Sequence, residues 1–166
     1  MKSWYLLYCK RGEQQRAKLH LENQNLTCYY PEVEIEKVVR GSRKAMNEPL
    51  FPSYVFIEFD EELGPSFTTI RSTRGVVDFV RFGGLPTKVP DTLIMELKKI
   101  EIHNEAVSTL PKAGDVVQVS GGQFSGFEAI YKESDGEKRS ILLVTLINQQ
   151  VRVPISNKDI TWDRDK

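Results

Sequence analysis

Chemistry at neutral pH needs side chains that titrate or donate electrons there, and this chain has few. His20 and His103 are the only histidines, and so the only ordinary near-neutral general bases. With Cys9 and Cys28 they are also the only soft metal ligands, and no close cysteine pair exists to seed a zinc site. The thiols read as core side chains and the imidazoles as surface groups. There is no G-x-S-x-G elbow and no G-x-x-x-x-G-K-[ST] phosphate loop. Gly121, Gly122 and Gly126 cluster without dinucleotide-binding spacing, and the acidic pair Glu61-Glu62 has no supporting motif. The expectation is a binding protein rather than an enzyme, with no metal and no cofactor.

The binding chemistry lies near the start. In the first twenty residues Lys2, Lys10, Arg11, Arg16 and Lys18 face a single acid, Glu13. At helical spacing Arg16 and His20 share a face, with Lys10 and Arg11 just before it. Tyr8 and His20 can stack on an unpaired base while guanidinium groups hold phosphates or a guanine edge. The competing reading is a plain solvated face. The whole chain balances 23 Lys+Arg against 23 Asp+Glu, which excludes blanket coating of nucleic acid but leaves a local basic patch open. Two cysteines cannot build a disulfide framework, and no apolar run reaches the roughly 18 residues of a membrane span. With no signal-peptide core after Met1, these features predict a cytoplasmic chain with no membrane partner.

The positioning elements follow from periodicity. Residues 4–9 (WYLLYC) read as a buried strand and 13–24 as a helix. Residues 27–39 alternate apolar and charged side chains as one half-exposed strand, and 41–47 read as a polar, basic hairpin tip or mobile loop. A strong strand at 54–59 (YVFIEF), a short helix to Ile70, a strand at 76–82 and a loop at 83–90 follow. Leu93, Ile94, Leu97 and Ile100 recur at helical spacing. The order β-α-β-β-α-β-α predicts an α+β, ferredoxin-like sandwich over residues 1–100. Periodicity lapses over 101–113, a linker, and 114–166 forms a second, small domain.

That second segment reads two ways. Alternation at Val117, Val119, Phe127, Ala129 and Tyr131, a turn at 134–137 and β-branched residues from Ile141 to Ile155 suit a small antiparallel barrel. Yet Phe124, Phe127, Ile130 and Tyr131 also share a helical face, as do Leu142, Leu143, Leu146 and Ile147. Three glycines inside a helix would cost about 3 kcal/mol together, so a helical hairpin needs external packing.

Four stretches carry a family resemblance: WYLL at 4–7, FPSYVF at 51–56, TRGVVDFVRFGG at 73–84 and GDVVQVSGGQFSGFEAI at 114–130. In this order they resemble the NusG superfamily of transcription elongation factors. The start WYLLYCKRG, EPLFPSYVF and SILLVTLIN at 140–148 are most similar to its specialised antitermination branch. The resemblance implies an N-terminal (NGN) domain that binds RNA polymerase and a C-terminal KOW domain. It further implies that the KOW domain is a helical hairpin when autoinhibited and a β-barrel when released. The positions matching the polymerase clamp-helix patch are Tyr54, Phe56, Phe82, Ile94 and Leu97. Ser66, Phe67 and Thr68 occupy the place of a His-Thr-Thr-like gate-loop triplet and depart from it. Lys10, Arg11, Arg16 and His20, with Thr73 and Arg74, match a surface that reads non-template-strand DNA in a paused elongation complex. Phe127, Tyr131, Leu142, Leu143, Leu146 and Ile147 are implied to cover the polymerase patch, with Glu48 and Arg139 as the locking ion pair. If half exposed, that pair contributes only about 1 kcal/mol. The released barrel is implied to recruit ribosomal protein S10, and the factor to act as a monomer.

Two other functions fit the residues: a general NusG-type elongation factor with a permanent KOW barrel, and an RNA- or ribosome-binding module.

Overall fold

Alternation along β1 (Ser3–Cys9) sends Trp4 and Leu6 to one face and Tyr5, Leu7 and Cys9 to the other, and all five are buried. A sheet buried on both faces must be covered twice, and the remaining elements do this. In the computed structural model, residues 1–107 and 126–152 are described.

Strand β1 lies centrally. It pairs antiparallel with β5 (Tyr54–Phe59), setting Leu6 opposite Phe56. On its other edge its C-terminal half pairs with β6 (Val76–Phe79) and its N-terminal half with β7 (Lys88–Val89). Strand β2 (Thr27–Tyr29) closes the far side of β5, giving the order β2-β5-β1-β6. With α1 (Gln14–Glu22) between β1 and β2, and α2 (Phe67–Arg71) between β5 and β6, this is a mixed α/β, ferredoxin-like arrangement. Helices α1 and α2 bury Ala17, Leu21 and Ile70 on the Tyr5 face. Gly75, at φ +92°, holds the entry to β6 so close to α1 that a Cβ there would lie 3.2 Å from that of Ala17.

The Trp4 face is covered by α3 (Asp91–Val107), through Leu93, Ile94, Leu97 and Ile100, and by two further helices, α4 (Gly126–Lys132) and α5 (Gly136–Arg152). Phe127, Ala129, Tyr131 and residues 141–149 are therefore helical here rather than strands. Gly126 is the first residue of α4, so the helix-interior cost does not arise for it. Gly121, Gly122, Phe124, Val117, Val119, Val153, Ile155 and residues 108–113 lie outside the described residues.

Several boundaries differ from expectation. The single strand expected over 27–39 is broken at Tyr30-Pro31, where proline cannot donate to the ladder. Its second half, β3 (Glu32–Val39), pairs with β4 (Ser42–Pro49) as a separate two-stranded sheet, so the expected loop at 41–47 is strand instead. The strand expected over 76–82 ends at Phe79, and α3 runs through Val107, past the expected linker start at 101.

Candidate functional site

Alternation in β5 puts Tyr54 and Phe56 on the Trp4 face and Val55 and Ile57 on the opposite one. Tyr54, Phe56, Phe82, Ile94 and Leu97 thus form one patch with Phe51, whose ring meets Phe56 edge-on at 6.1 Å. Phe56, Ile94 and Leu97 are buried, whereas Tyr54 and Phe82 are half-buried at the margin. Burial raises the Tyr54 hydroxyl above its ordinary pKa, with Tyr8 adding to it. Lys98 stands 5.3 Å over the rings of both Trp4 and Tyr29, a cationic rim to the apolar field.

What covers the patch is the inner side of α4 and α5. Phe127, Ile130, Tyr131, Leu143, Leu146 and Ile147 are buried in the same cluster, and Leu142 packs against it half-buried. α4 has 7 residues, too few to be stable as a free helix in water, and α5 has 17.

Polar anchors hold the cover. Arg139 is fully buried. Its Nη2 donates to Glu48 Oε2 at 2.5 Å and to the Pro49 carbonyl at 3.3 Å, and its Nε donates to the Leu50 carbonyl at 2.9 Å. Nη1 donates to the carbonyls of Glu133 and Ser134, at 2.9 and 3.0 Å, which closes the C-terminal end of α4. Ser140 Oγ donates to the Pro52 carbonyl at 3.1 Å. The condition of partial exposure holds for Glu48 but not for the arginine, which is sealed and spreads its donors over five acceptors. Leu50, Phe51, Pro52 and Ser140 are parts of this junction that sequence reasoning did not assign. Their only signal was membership of the runs at 48–56 and 140–148.

The basic residues gather at one end of β1 and along α1. Lys10, Arg11 and Arg16 are exposed and His20 is half-exposed. Arg16 meets Glu13 at 3.7 Å, and Arg11 reaches Glu137 of α5 at 3.8 Å, both in solvent where such pairs contribute little. Tyr8 is 43% exposed with its ring 5.3 Å from Tyr54, so an aromatic surface adjoins the cations. A cleft of about 840 Å³ runs from Tyr8, Arg11 and Gln14 to Asp135 and Glu137. Arg74 is exposed, but Thr73 is buried; its Oγ1 accepts from Gln24 Nε2 at 2.8 Å and faces the Thr69 carbonyl. Thr73 therefore braces α1 against α2 rather than presenting a contact surface.

The triplet after β5 divides likewise. Ser66 caps α2, accepting from the Thr69 amide at 3.1 Å, and Ser66 and Thr68 are exposed. Phe67 turns inward against Tyr5, Phe59 and Phe79 at 5.2–5.6 Å and is half-buried. Burial pushes the thiols of Cys9 and Cys28 up to about 12, so both stay protonated at neutral pH. Among the described residues no group of three or more His, Cys, Asp or Glu is placed to hold a metal. No described helix is long and apolar enough to cross a membrane.

A ferredoxin-like sheet with a covered apolar patch and an adjacent cationic surface defines a class of macromolecule-binding domains. Residues 2–98 match the family model NusG, described as "Transcription termination factor nusG", and the chain belongs to that family. It is 27% identical to a Thermus thermophilus protein described as "Transcription termination/antitermination protein NusG", over 92% of this chain and 94% of the relative. A Bacillus subtilis protein of the same description is 24% identical over 93% of this chain and 94% of its own length. A solved structure, "Domain interaction in Thermotoga maritima NusG", is similar at a TM-score of 0.42 and 23% identity, covering 74% of this chain and 67% of that one.

Proposed function

We propose that the chain is an autoinhibited transcription antitermination factor of the RfaH type, which binds RNA polymerase and suppresses pausing and termination at selected operons. Family membership supports the coarser part, a NusG-type transcription termination/antitermination factor that binds RNA polymerase. The single observation supporting the finer part is the cover on the Tyr54–Leu97 patch. An apolar, aromatic patch rimmed by charge suits an amphipathic helical partner such as the clamp helices. Here α4 and α5 occupy it, and one buried arginine secures them.

In this reading, polymerase and the α4–α5 hairpin compete for one surface, so whatever releases the hairpin licenses binding. Lys10, Arg11, Arg16, His20 and Arg74, with Tyr8, meet the non-template strand of the paused complex, and their cations hold phosphates. Ser66 and Thr68 are left for the gate loop. The freed 114–166 segment refolds as a KOW barrel and contacts ribosomal protein S10, coupling transcription to translation. The factor acts as a cytoplasmic monomer without catalysis or cofactor.

The rival reading, a general NusG-type factor with a permanent barrel, is favoured by relatives named NusG that match beyond 90% of the chain. Binding of the full-length chain to a clamp-helix segment separates the two. Autoinhibition predicts weak binding that Arg139→Ala strengthens at least about tenfold, in keeping with the loss of five hydrogen bonds that hold the hairpin. Equal, tight binding by both proteins would support the general factor.

A further inference from the structure

The cleft between Tyr8, Arg11 and the α4–α5 turn holds polar groups that no contact described so far uses. Gln14, the first residue of α1, lines it and is the one polar member of the buried stripe Gln14, Ala17 and Leu21. It is only 6% exposed, yet its side-chain amide makes no hydrogen bond to a described residue. The amide is not sealed off, so its donor and acceptor open onto the cleft unused. Ser53 lines the same cleft, at φ 74° and third in a turn that the Tyr54 amide closes on the Phe51 carbonyl at 3.1 Å. Glycine or asparagine suits that place, and the hydroxyl of this serine also has no described partner.

Around these two groups the walls differ in kind. Tyr8 offers the face of a partly exposed ring. Arg11 brings a guanidinium whose ion pair with Glu137, at 3.8 Å, lies in solvent and is readily exchanged. Across the cleft stand the carboxylates of Asp135 and Glu137, at the start of α5. Asp135 Oδ1 accepts from the amides of Glu137 and Lys138, at 2.9 and 3.4 Å, and Oδ2 has no described donor. The cleft is thus cationic at one end and acidic at the other, with an aromatic wall and a free amide between.

We infer that this cleft binds a free adenine nucleotide carrying a single phosphate. A flat base stacks on the Tyr8 ring. The Gln14 amide matches the N6 amine and N7 of adenine, the pairing by which glutamine reads that base. Asp135 or Glu137 accepts from the ribose hydroxyls, as carboxylates do in dinucleotide sites. Arg11 and the Ser53 hydroxyl hold the phosphate. One guanidinium facing two acids leaves no place for a triphosphate, and about 840 Å³ is ample for a mononucleotide. The cleft shares Tyr8 and Arg11 with the surface proposed for the non-template strand. Gln14 and Ser53 belong to the cleft alone, so their variants test it separately.

The test is calorimetric titration of the full-length chain with adenosine monophosphate and with inosine monophosphate, which has an acceptor where adenine has its N6 amine. The adenine nucleotide should bind at least about fivefold more tightly, the discrimination of one bidentate pair. Gln14→Leu, which suits the apolar stripe, should level the two affinities. Ser53→Gly, which suits the positive φ, should weaken both alike by about fivefold, the effect of one hydrogen bond, and serves alone should the leucine variant not fold. The Gln14 side-chain amide signals should shift when adenosine monophosphate is added. No binding at about 1 mM overturns the inference. So do equal affinities for the two nucleotides, a preference that survives Gln14→Leu, and affinities unchanged by Ser53→Gly. An oligodeoxyadenylate of about five nucleotides that bound more tightly than the mononucleotide, and lost that advantage in Gln14→Leu, would assign the cleft to a base within a strand and overturn the free ligand.

Discussion

The two faces of the central sheet are both buried, yet they are buried by different means. The face with Tyr5, Leu7, Val55 and Ile57 is sealed by α1 and α2 through apolar contacts and a cluster of Tyr5, Phe59, Phe67 and Phe79 rings. Its covering helices are threaded between the strands in sequence. The face with Trp4, Leu6 and Phe56 is completed by α4 and α5, which follow the last described strand and are pinned by a buried cation. On the Tyr5 face the one polar brace among the described residues, Gln24 to Thr73, joins the covering helices to each other rather than to the sheet. A buried arginine that ties its own hairpin, through the Glu133 and Ser134 carbonyls, to Glu48, Pro49 and Leu50 makes an interface with a specific geometry and a discrete way to fail. The contrast separates a face sealed by elements threaded through the sheet from one covered by a later hairpin.

The largest effect that sharpens the contrast comes from Arg139→Ala. It removes five hydrogen bonds, one to the Glu48 carboxylate and four to carbonyls, and should weaken hairpin docking by about 3–5 kcal/mol. Hydrogen exchange should show α4 and α5 losing protection while β1 and β5 keep theirs. Ile57→Ala, on the permanent face, should cost about 3 kcal/mol and lower the denaturation midpoint of sheet and hairpin together. If Arg139→Ala also unfolded the sheet, the distinction between the faces would collapse.

Gly136→Ala should have a smaller effect of the same kind. A Cβ there would lie 2.6 Å from Pro52 Cγ, on a ring that cannot swing aside. Docking should weaken by about 1–2 kcal/mol although alanine is the better helix former, measured as reduced ellipticity at 222 nm. The smallest effect concerns Asp78 on β6, whose carboxyl is held below its ordinary value by a hydrogen bond from Arg81, aided by the Phe79 amide. A lowered carboxylate contributes stability above its ordinary value of 3.8, and that contribution is lost as pH falls through the lower folded value. Asp78→Asn should therefore flatten the acid limb of the stability curve below about pH 4, and leave hairpin docking unchanged.

Much of this was legible wherever burial imposes a period. Tyr54 and Phe56 separate from Val55 and Ile57 by strand alternation alone, and Leu142, Leu143, Leu146 and Ile147 announce a helical stripe. Strand β4 was not legible, because beyond Ile35 neither side of its arm is buried and no apolar alternation is required. The choice between helix and strand for residues 126–152 was open because their apolar residues satisfy both periods, and only the sheet face decides. The burial of Arg139 and Thr73 was not legible for one reason. Sequence marks a polar side chain as exposed by default, and these two are buried because carbonyls or an amide meet them in space.

The most direct test is the backbone chemical shifts of residues 127–149, measured in the full-length chain and in the separated 114–166 segment. Helical shifts in the intact chain and strand shifts in the separated segment are predicted, because only the sheet face sustains the helices. Helical shifts in both would show that the hairpin stands without the sheet, and would contradict the account.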